Sequence, residues 1–183
     1  MRIHVTGASG SGTSTLAAAL AREIGGTHLE ADDYYWLVTS PPYQHKRAAP
    51  ERLSSLLTDL SAKENLILAG SIVSWGAELE DSFDLIIFLY LDAAIRVERL
   101  RLREIEMLGH ADPAFLKWAA QYDTGPPEGR SLTKHRAWLA ARTCPIIEIH
   151  GSLTVNERIA VVLRATPYQN ITLAAKGTIN ETS

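Results

Sequence analysis

Residues 3–16 read Ile3-His4-Val5-Thr6-Gly7-Ala8-Ser9-Gly10-Ser11-Gly12-Thr13-Ser14-Thr15-Leu16, a short β-branched run that breaks into glycine and serine and resumes rich in leucine and alanine. A strand, a tight turn and a helix are predicted in that order. Gly7, four residues, Gly12 and then Thr13-Ser14 have the frame of the phosphate-binding loop, in the strand-to-helix setting that this motif requires. The glycines let successive N–H groups turn inward, and a helix N-terminus adds roughly half a positive charge at the same spot. The segment is therefore expected to cradle an anion. Gly7, Ser9, Gly10, Ser11, Gly12, Thr13, Ser14 and Thr15 form the predicted nucleotide-binding set, with Ser14 where the motif places its hydroxyl ligand to magnesium. Thr13 stands where the motif has lysine, so a cation for the outer phosphates must come from elsewhere in the chain. A glycine-rich turn with no ligand is the alternative. The dinucleotide pattern Gly-x-Gly-x-x-Gly fails, because Thr15 follows Gly10 and Gly12 where its third glycine belongs.

Outward from this loop, four more segments have the character of buried strands: Thr27 to Ala31, Leu66 to Ala69, Leu85 to Leu91 and Ile146 to Ile149. Helical patterns separate them. Ser14 to Ile24 stops at Gly25-Gly26, and Pro50 to Leu60 opens on a helix-initiating proline. Asp92 caps a helix running to about Leu108, and Asp112-Pro113 starts another through Tyr122. After the turn at Gly125-Pro126-Pro127-Glu128-Gly129, Leu132 to Arg142 reads as helix, and Thr154 with Glu157 forms a capping box for the last one. Strands alternating with helices predict a three-layer α/β domain around a parallel sheet. The domain is expected over residues 1–166, with residues 167–183 as a tail or packed extension.

Composition narrows the function classes. The 183 residues include 18 basic and 21 acidic ones, for a net charge of -3, too near neutral for bulk attraction to nucleic acid or a membrane surface. A single cysteine, Cys144, leaves no disulfide framework and no thiol cluster for zinc. The early apolar run is too short for a secretion signal, so a cytoplasmic location is expected.

Replacement charge has one obvious source. In the helix after Asp92, Arg96, Arg99 and Arg103 share a face by the spacing of three and four, and arginine suits bidentate contact with phosphate. A solvated surface of intrahelical ion pairs is the alternative, which would be preferred for an isolated charged helix but not for one that follows the fourth strand of a phosphate-loop domain. Arg130, in the glycine- and proline-rich turn, is open to two readings, closure over the site or an ordinary loop arginine. Asp32 and Asp33 follow the second strand at the carboxyl edge of the sheet, where open α/β folds bind ligands; they either accept a proton and hold magnesium through water, or cap a turn. Ser71 at the corresponding edge of the third strand either hydrogen-bonds a substrate or closes a turn. Tyr34-Tyr35-Trp36 is read as packing, and the six histidines show no ligand spacing.

With these residues placed, the chain resembles the nucleoside monophosphate kinase superfamily, which includes adenylate, cytidylate, shikimate and gluconate kinases. The likeness covers about residues 1 to 165. It implies sheet order 2-3-1-4-5, a triphosphate on the first loop, an acceptor at the ends of strands two and three, and a helical lid, here about 96–142. By position, Arg99 and Arg103 resemble the arginine pair entering the lid, and Glu30-x-Asp32 resembles the Asp-x-Asp of shikimate kinases. The chain is also similar to bacterial adenylate-kinase-like proteins whose loop reads Gly-Ala-Ser-Gly-Ser-Gly-Thr, continuing with Asp-Asp-Tyr, Gly-Ser and Trp-Ala-x-x-Tyr-Asp, here Trp118 to Asp123.

The expectation is an ATP- and magnesium-dependent small-molecule or nucleotide kinase, which moves the γ-phosphate to a hydroxyl or phosphate acceptor. Asp32, Asp33, Arg99 and Arg103 are its catalytic candidates, Ser71 and Arg130 its substrate contacts, and Ser14 its metal ligand. Its partners would be the triphosphate and an unidentified acceptor, without nucleic acid or membrane, in a monomer or homodimer. The rival is a non-catalytic nucleotide-binding module whose loop Thr13 has disabled; a purely structural domain is the third reading.

Overall fold

The computed structural model describes residues 1–40, 42–125 and 130–165. The expected tail and turn residues 126–129 lie outside them. Strands β1 Arg2–Gly7, β2 Thr27–Glu30, β3 Leu66–Ala69, β4 Leu85–Tyr90 and β5 Ile146–His150 pair in parallel in the order β2-β3-β1-β4-β5. That is the order the resemblance implied. Helices α1 Thr13–Ile24, α2 Ala31–Tyr35, α3 Ala49–Ser61, α4 Ala77–Glu80, α5 Ala93–Leu108, α6 Pro113–Ala120 and α7 Leu132–Ala140 connect the strands, with a 3₁₀ turn at Gln121–Asp123, and α8 Val155–Arg164 follows β5.

Side chains alternate across the sheet with period two, and each set packs against a different helical layer. Ile3 and Val5 of β1, Ile67 and Ala69 of β3, and Leu85, Ile87 and Leu89 of β4 meet Leu16, Leu20 and Ile24 of α1 and Val162 of α8. Leu66, Leu68, Ile86 and Phe88 point the other way, onto Leu56 and Leu60 of α3, Leu79 of α4, and Trp138 and Leu139 of α7. The unbroken apolar runs of β3 and β4, on either side of β1, follow from this burial on both faces.

The helix boundaries are set by local chemistry. Asp92 Oδ1 accepts from Ala94 N at 2.8 Å at the start of α5, and Gly109 ends it at φ 78°. Asp112 Oδ1 does the same for Ala114 N in α6, and Thr154 with Glu157 forms the expected capping box of α8. Two short helices depart from the sequence reading. β2 ends one residue early, at Glu30, because Ala31 turns beneath the end of β3: a Cβ on Gly70, at φ 108°, would sit 2.9 Å from Ala31 Cβ. The resulting α2 swings Asp32 off the sheet edge. α4 is organised by Glu80, whose carboxylate accepts from Trp75 N at 2.9 Å, Gly76 N at 3.2 Å and Trp138 Nε1 at 2.7 Å. The helix expected to reach Tyr122 ends at Ala120 and tightens into the 3₁₀ turn, and α7 stops at Ala140 rather than Arg142.

Two histidines are buried within this frame. His4, fully enclosed between Phe83 and Trp138, has its pKa lowered to about 3 by burial, with its bond to the Leu68 carbonyl opposing. Burial likewise lowers His135 to about 3. Both stay neutral when folded but take up a proton below about 6.5 when unfolded. Stability is therefore fully present above that pH and falls as pH drops, by about 1.4 kcal/mol per pH unit for each proton taken up. Urea unfolding midpoints are expected to be flat above pH ~7 and to decline from ~6.5 to ~5, and His4→Gln is expected to remove about half of that slope.

Candidate functional site

The loop between β1 and α1 closes as a turn, with Ser11 N donating to Ala8 O at 3.1 Å. Gly10 at φ 82° and Gly12 at φ 92° hold conformations that side chains disfavour. Gly12 is the N-cap of α1 and no side chain caps it. The first intrahelical bond is Leu16 N to Gly12 O at 3.0 Å, so the N–H groups of Thr13, Ser14 and Thr15 precede it and are left for an anion.

Three arginines grip this loop through its carbonyls. Arg130 Nη2 donates to Gly7 O at 2.8 Å, Arg158 Nη1 to Ser11 O at 2.8 Å, and Arg96 Nη1 to Ser9 O at 3.4 Å. Burial holds Arg130 and Arg158 below the ordinary arginine value, with Asp32 opposing at Arg130 and the Arg99 guanidinium adding to the effect at Arg158. The Nε atoms of Arg130 and Arg158 are buried and have no hydrogen-bond partner among the described residues. Arg158 was not singled out in the sequence. It lies one turn into an ordinary amphipathic helix, and only the return of α8 against α1 brings it to Ser11.

Arg96 corrects the reading of the α5 arginines as one face. It is fully buried, and its guanidinium also bonds Leu91 O at 2.8 Å and Ala119 O at 3.2 Å, reaches Asp123 Oδ2 at 3.3 Å and covers the Tyr122 ring. Its donors are committed inside the protein. Arg99 and Arg103 remain exposed: Arg99 Nη2 donates to Ser152 Oγ at 3.1 Å and sits beside Arg158, whereas Arg103 acts on Asp32.

Acidic groups meet the loop from β2 and α2. Ser14 Oγ donates to Glu30 Oε2 at 3.1 Å, and Glu30 Oε1 lies 2.8 Å from His28 Nε2. Crowding raises the Glu30 pKa, Ser14 and His28 pull it down, and Asp32 and Asp33 raise it again. Asp32 is raised chiefly by the protein packed around it, with Arg130 and Arg103 opposing and Asp33 adding. This negative cluster around a hydroxyl suits a divalent cation. Among the described residues no group of three or more His, Cys, Asp or Glu is set to hold a metal; Ser14 and Glu30 could hold magnesium that arrives with a nucleotide.

Beside this cluster lies a cavity of about 480 Å³ that brings together Asp32, Ser71 and Arg130. Asp33 does not line it. Tyr35, Trp36, Trp75 and Trp118 form its walls, so Tyr35 and Trp36, read from the sequence as packing, also face the cavity. Tyr34 instead donates its hydroxyl to Asp59 Oδ2 at 2.5 Å. Lys46, Ser131, Lys134 and His135 complete the polar lining. Asp32 thus faces a space next to the loop, and Arg130 touches both.

Residues 3–109 match the family described as AAA domain. The chain is 42% identical over 171 residues to YqaC of Bacillus subtilis (strain 168), itself described as uncharacterized, with 88% of this chain and 94% of that protein covered. Among solved structures, a gluconokinase from Sinorhizobium meliloti 1021 matches at TM-score 0.54 and 19% identity, covering 95% of this chain and 97% of that one. A shikimate kinase from Bacteroides thetaiotaomicron matches at 0.56 and 16%, covering 89% and 96%. The deoxyadenosine kinase of M. mycoides with bound dATP matches at 0.57 and 15%, covering 89% and 97%. These likenesses establish a P-loop kinase fold. No helix of the described residues is long and apolar enough to cross a membrane.

The loop geometry makes a direct prediction. A Cβ on Gly10 would lie 2.6 Å from Arg96 O, and φ 82° strains any L side chain. Gly10→Ala is expected to destabilise the fold by about 1–3 kcal/mol in urea melts, whereas Gly109→Ala, whose Cβ meets nothing within 4 Å, should lose only the backbone part.

Proposed function

The chain belongs to the AAA domain family, and from that premise we propose that it is a magnesium- and ATP-dependent phosphotransferase acting on a small acceptor held in the cavity beside the loop. One observation carries this reading: the Arg130 guanidinium bonds the carbonyl of Gly7 and also lines the cavity that Asp32 faces, joining an anion cradle to a space for a second molecule. Phosphates would be held by the free N–H groups of Thr13, Ser14 and Thr15 at the start of α1. Magnesium, bound with the nucleotide at Ser14 and Glu30, would neutralise charge on the outer phosphates.

In the transfer, the acceptor oxygen bonds to the γ-phosphorus as the bond to the β–γ bridging oxygen breaks, and ADP leaves. The hydroxyl proton passes to Asp32, whose raised pKa suits it to the task. Arg130 takes the place of the missing lysine: its permanently charged guanidinium holds the loop through Gly7 O and opens on the cavity. Exposed Arg103 adds charge over Asp32. Positioning and electrostatics suffice for this chemistry, because phosphoryl transfer requires little covalent work from a protein.

Thr13 favours a second reading, a module that binds nucleotide without turnover. The two separate in an ADP-release assay over a panel of nucleosides, nucleotides and hydroxy acids. Acceptor-dependent turnover is expected, reduced on the order of 10²- to 10⁴-fold in Asp32→Asn. Its kcat/KM should rise with pH along a limb that lies above the ordinary aspartate range, since the base must be ionised. ATP binding with no turnover on any acceptor, turning to turnover in Thr13→Lys, would establish the module instead.

A further inference from the structure

Behind Ser71 the fold buries two hydrogen-bonding side chains, linked in a row with it, that the transfer reaction does not use. Tyr122 Oη lies 2.6 Å from His135 Nδ1, and His135 Nε2 lies 3.3 Å from Ser71 Oγ. Phe88 and Tyr122 pack edge-on against the imidazole at 5.9 and 5.6 Å. His135 is 1% exposed, and the titratable groups facing it are Tyr122 from the 3₁₀ turn, His4 from β1 and Arg130 ahead of α7. Burial, then Arg130, then His4 lower its pKa to about 3, so the ring is neutral and carries one N–H and one lone pair.

The direction of the chain follows from its closed end. Burial raises the Tyr122 pKa, so the phenol keeps its proton, and His135 is the hydrogen-bond partner of that hydroxyl among the described residues. The phenol therefore donates to Nδ1. The imidazole proton then resides on Nε2, which donates to Ser71 Oγ and leaves the serine hydrogen to turn into the cavity. Tyr122 and His135 act as positioning residues that make Ser71 a donor rather than an acceptor.

Other polar groups around the cavity have the same polarity. Lys46, Lys134 and Arg130 are cationic, and Asp32 is the carboxylate among the lining residues. Lys46 Nζ sits over the rings of Tyr35 and Trp36 at 5.7 and 6.0 Å, and neither lysine makes a salt bridge among the described residues. Donors without partners call for an anionic oxygen.

We infer that the cavity binds its occupant through an oxyanion, a carboxylate or phosphate group, seated on the Ser71 hydroxyl among Lys46, Lys134 and Arg130, which leaves Asp32 for a hydroxyl of the same molecule. Calling that occupant the phosphoryl acceptor rests on the phosphotransferase reading; the chemistry of the cavity does not. NMR of the full chain with ¹⁵N-labelled histidine and tryptophan tests it without turnover. His135 is expected as the neutral Nε2–H tautomer from pH ~8 to ~5, and an Nδ1–H tautomer would reverse the chain and overturn the inference.

Benzoate, phenyl phosphate and benzamidine, similar in shape and different in charge, then serve as probes in an aromatic-walled space. Benzoate or phenyl phosphate should shift the His135 and indole signals, the tighter of the two identifying the oxyanion, and Ser71→Ala should weaken it on the order of tenfold. Tyr122→Phe should weaken it similarly and release the tautomer; where that variant fails to fold, Ser71→Ala decides alone. Benzamidine binding as well as benzoate, neither anion shifting these signals, or an unaffected Ser71→Ala each sinks the proposal. A chain that binds the anions but never turns over ATP sinks only the phosphotransferase reading.

Discussion

The guanidinium of Arg96 ties together the parts of the molecule that must keep their places for the site to exist. It bonds the Leu91 carbonyl just past β4, the Ala119 carbonyl near the end of α6 and the phosphate-loop carbonyl of Ser9, and it meets Asp123 while covering Tyr122. A charge at 0% exposure is tolerable only when its donors are satisfied, and removing one partner of such a pair costs about 3–5 kcal/mol. The loop, the α5 N-terminus and the 3₁₀ turn are thereby fixed to one another. Gly10 is required by the same packing, because its α-carbon approaches the Arg96 carbonyl too closely for any side chain.

From this anchor the electrostatics of the site become intelligible. Arg130 and Arg158 reach the loop from opposite flanks of the sheet, one just ahead of α7 and the other inside α8. Each is aimed by a local device. Ser131 Oγ caps α7 by accepting from Lys134 N, which starts the helix immediately after Arg130 and sets Lys134 and His135 on its first turn. The capping box at Thr154 and Glu157 fixes the start of α8, so Arg158 is presented toward Ser11. A helix cap, worth about 1 kcal/mol in itself, here also determines where a cation sits.

How much of this was legible in the sequence depends on the range of each signal. The phosphate loop was readable because its requirement is local: positive φ at Gly10 and Gly12 needs glycine, and the strand before and helix after announce themselves by period. All five strands were found for the same reason, and β2 was drawn one residue too long only because Ala31 is as apolar as a strand residue. Glu80 illustrates the opposite case. Its carboxylate organises α4 through Trp75, Gly76 and the distant Trp138, and nothing in Ala77-Glu78-Leu79-Glu80 separates it from a surface acid. Arg96 and Arg99 look alike by spacing, yet one lies under the 3₁₀ turn and the other reaches Ser152 in the open. Helical periodicity identifies a shared face but not which neighbour covers part of it.

The missing lysine is the sharpest instance of that limit. Read along the chain, Thr13 removes the cation the motif expects, and the nearest candidates are the arginines of α5. In three dimensions the loop is already flanked by guanidinium groups: a Cβ on Gly12, the residue before Thr13, would sit 3.1 Å from Arg158 Nη1, and Gly7 is held by Arg130. Both arginines bond loop carbonyls, so they stiffen the loop and raise the local potential beside it. A lysine at position 13 would add a third cation to a pair already held below the ordinary arginine value by burial. Within this arrangement the loop keeps its positive character while the residue that usually supplies it is free to be threonine.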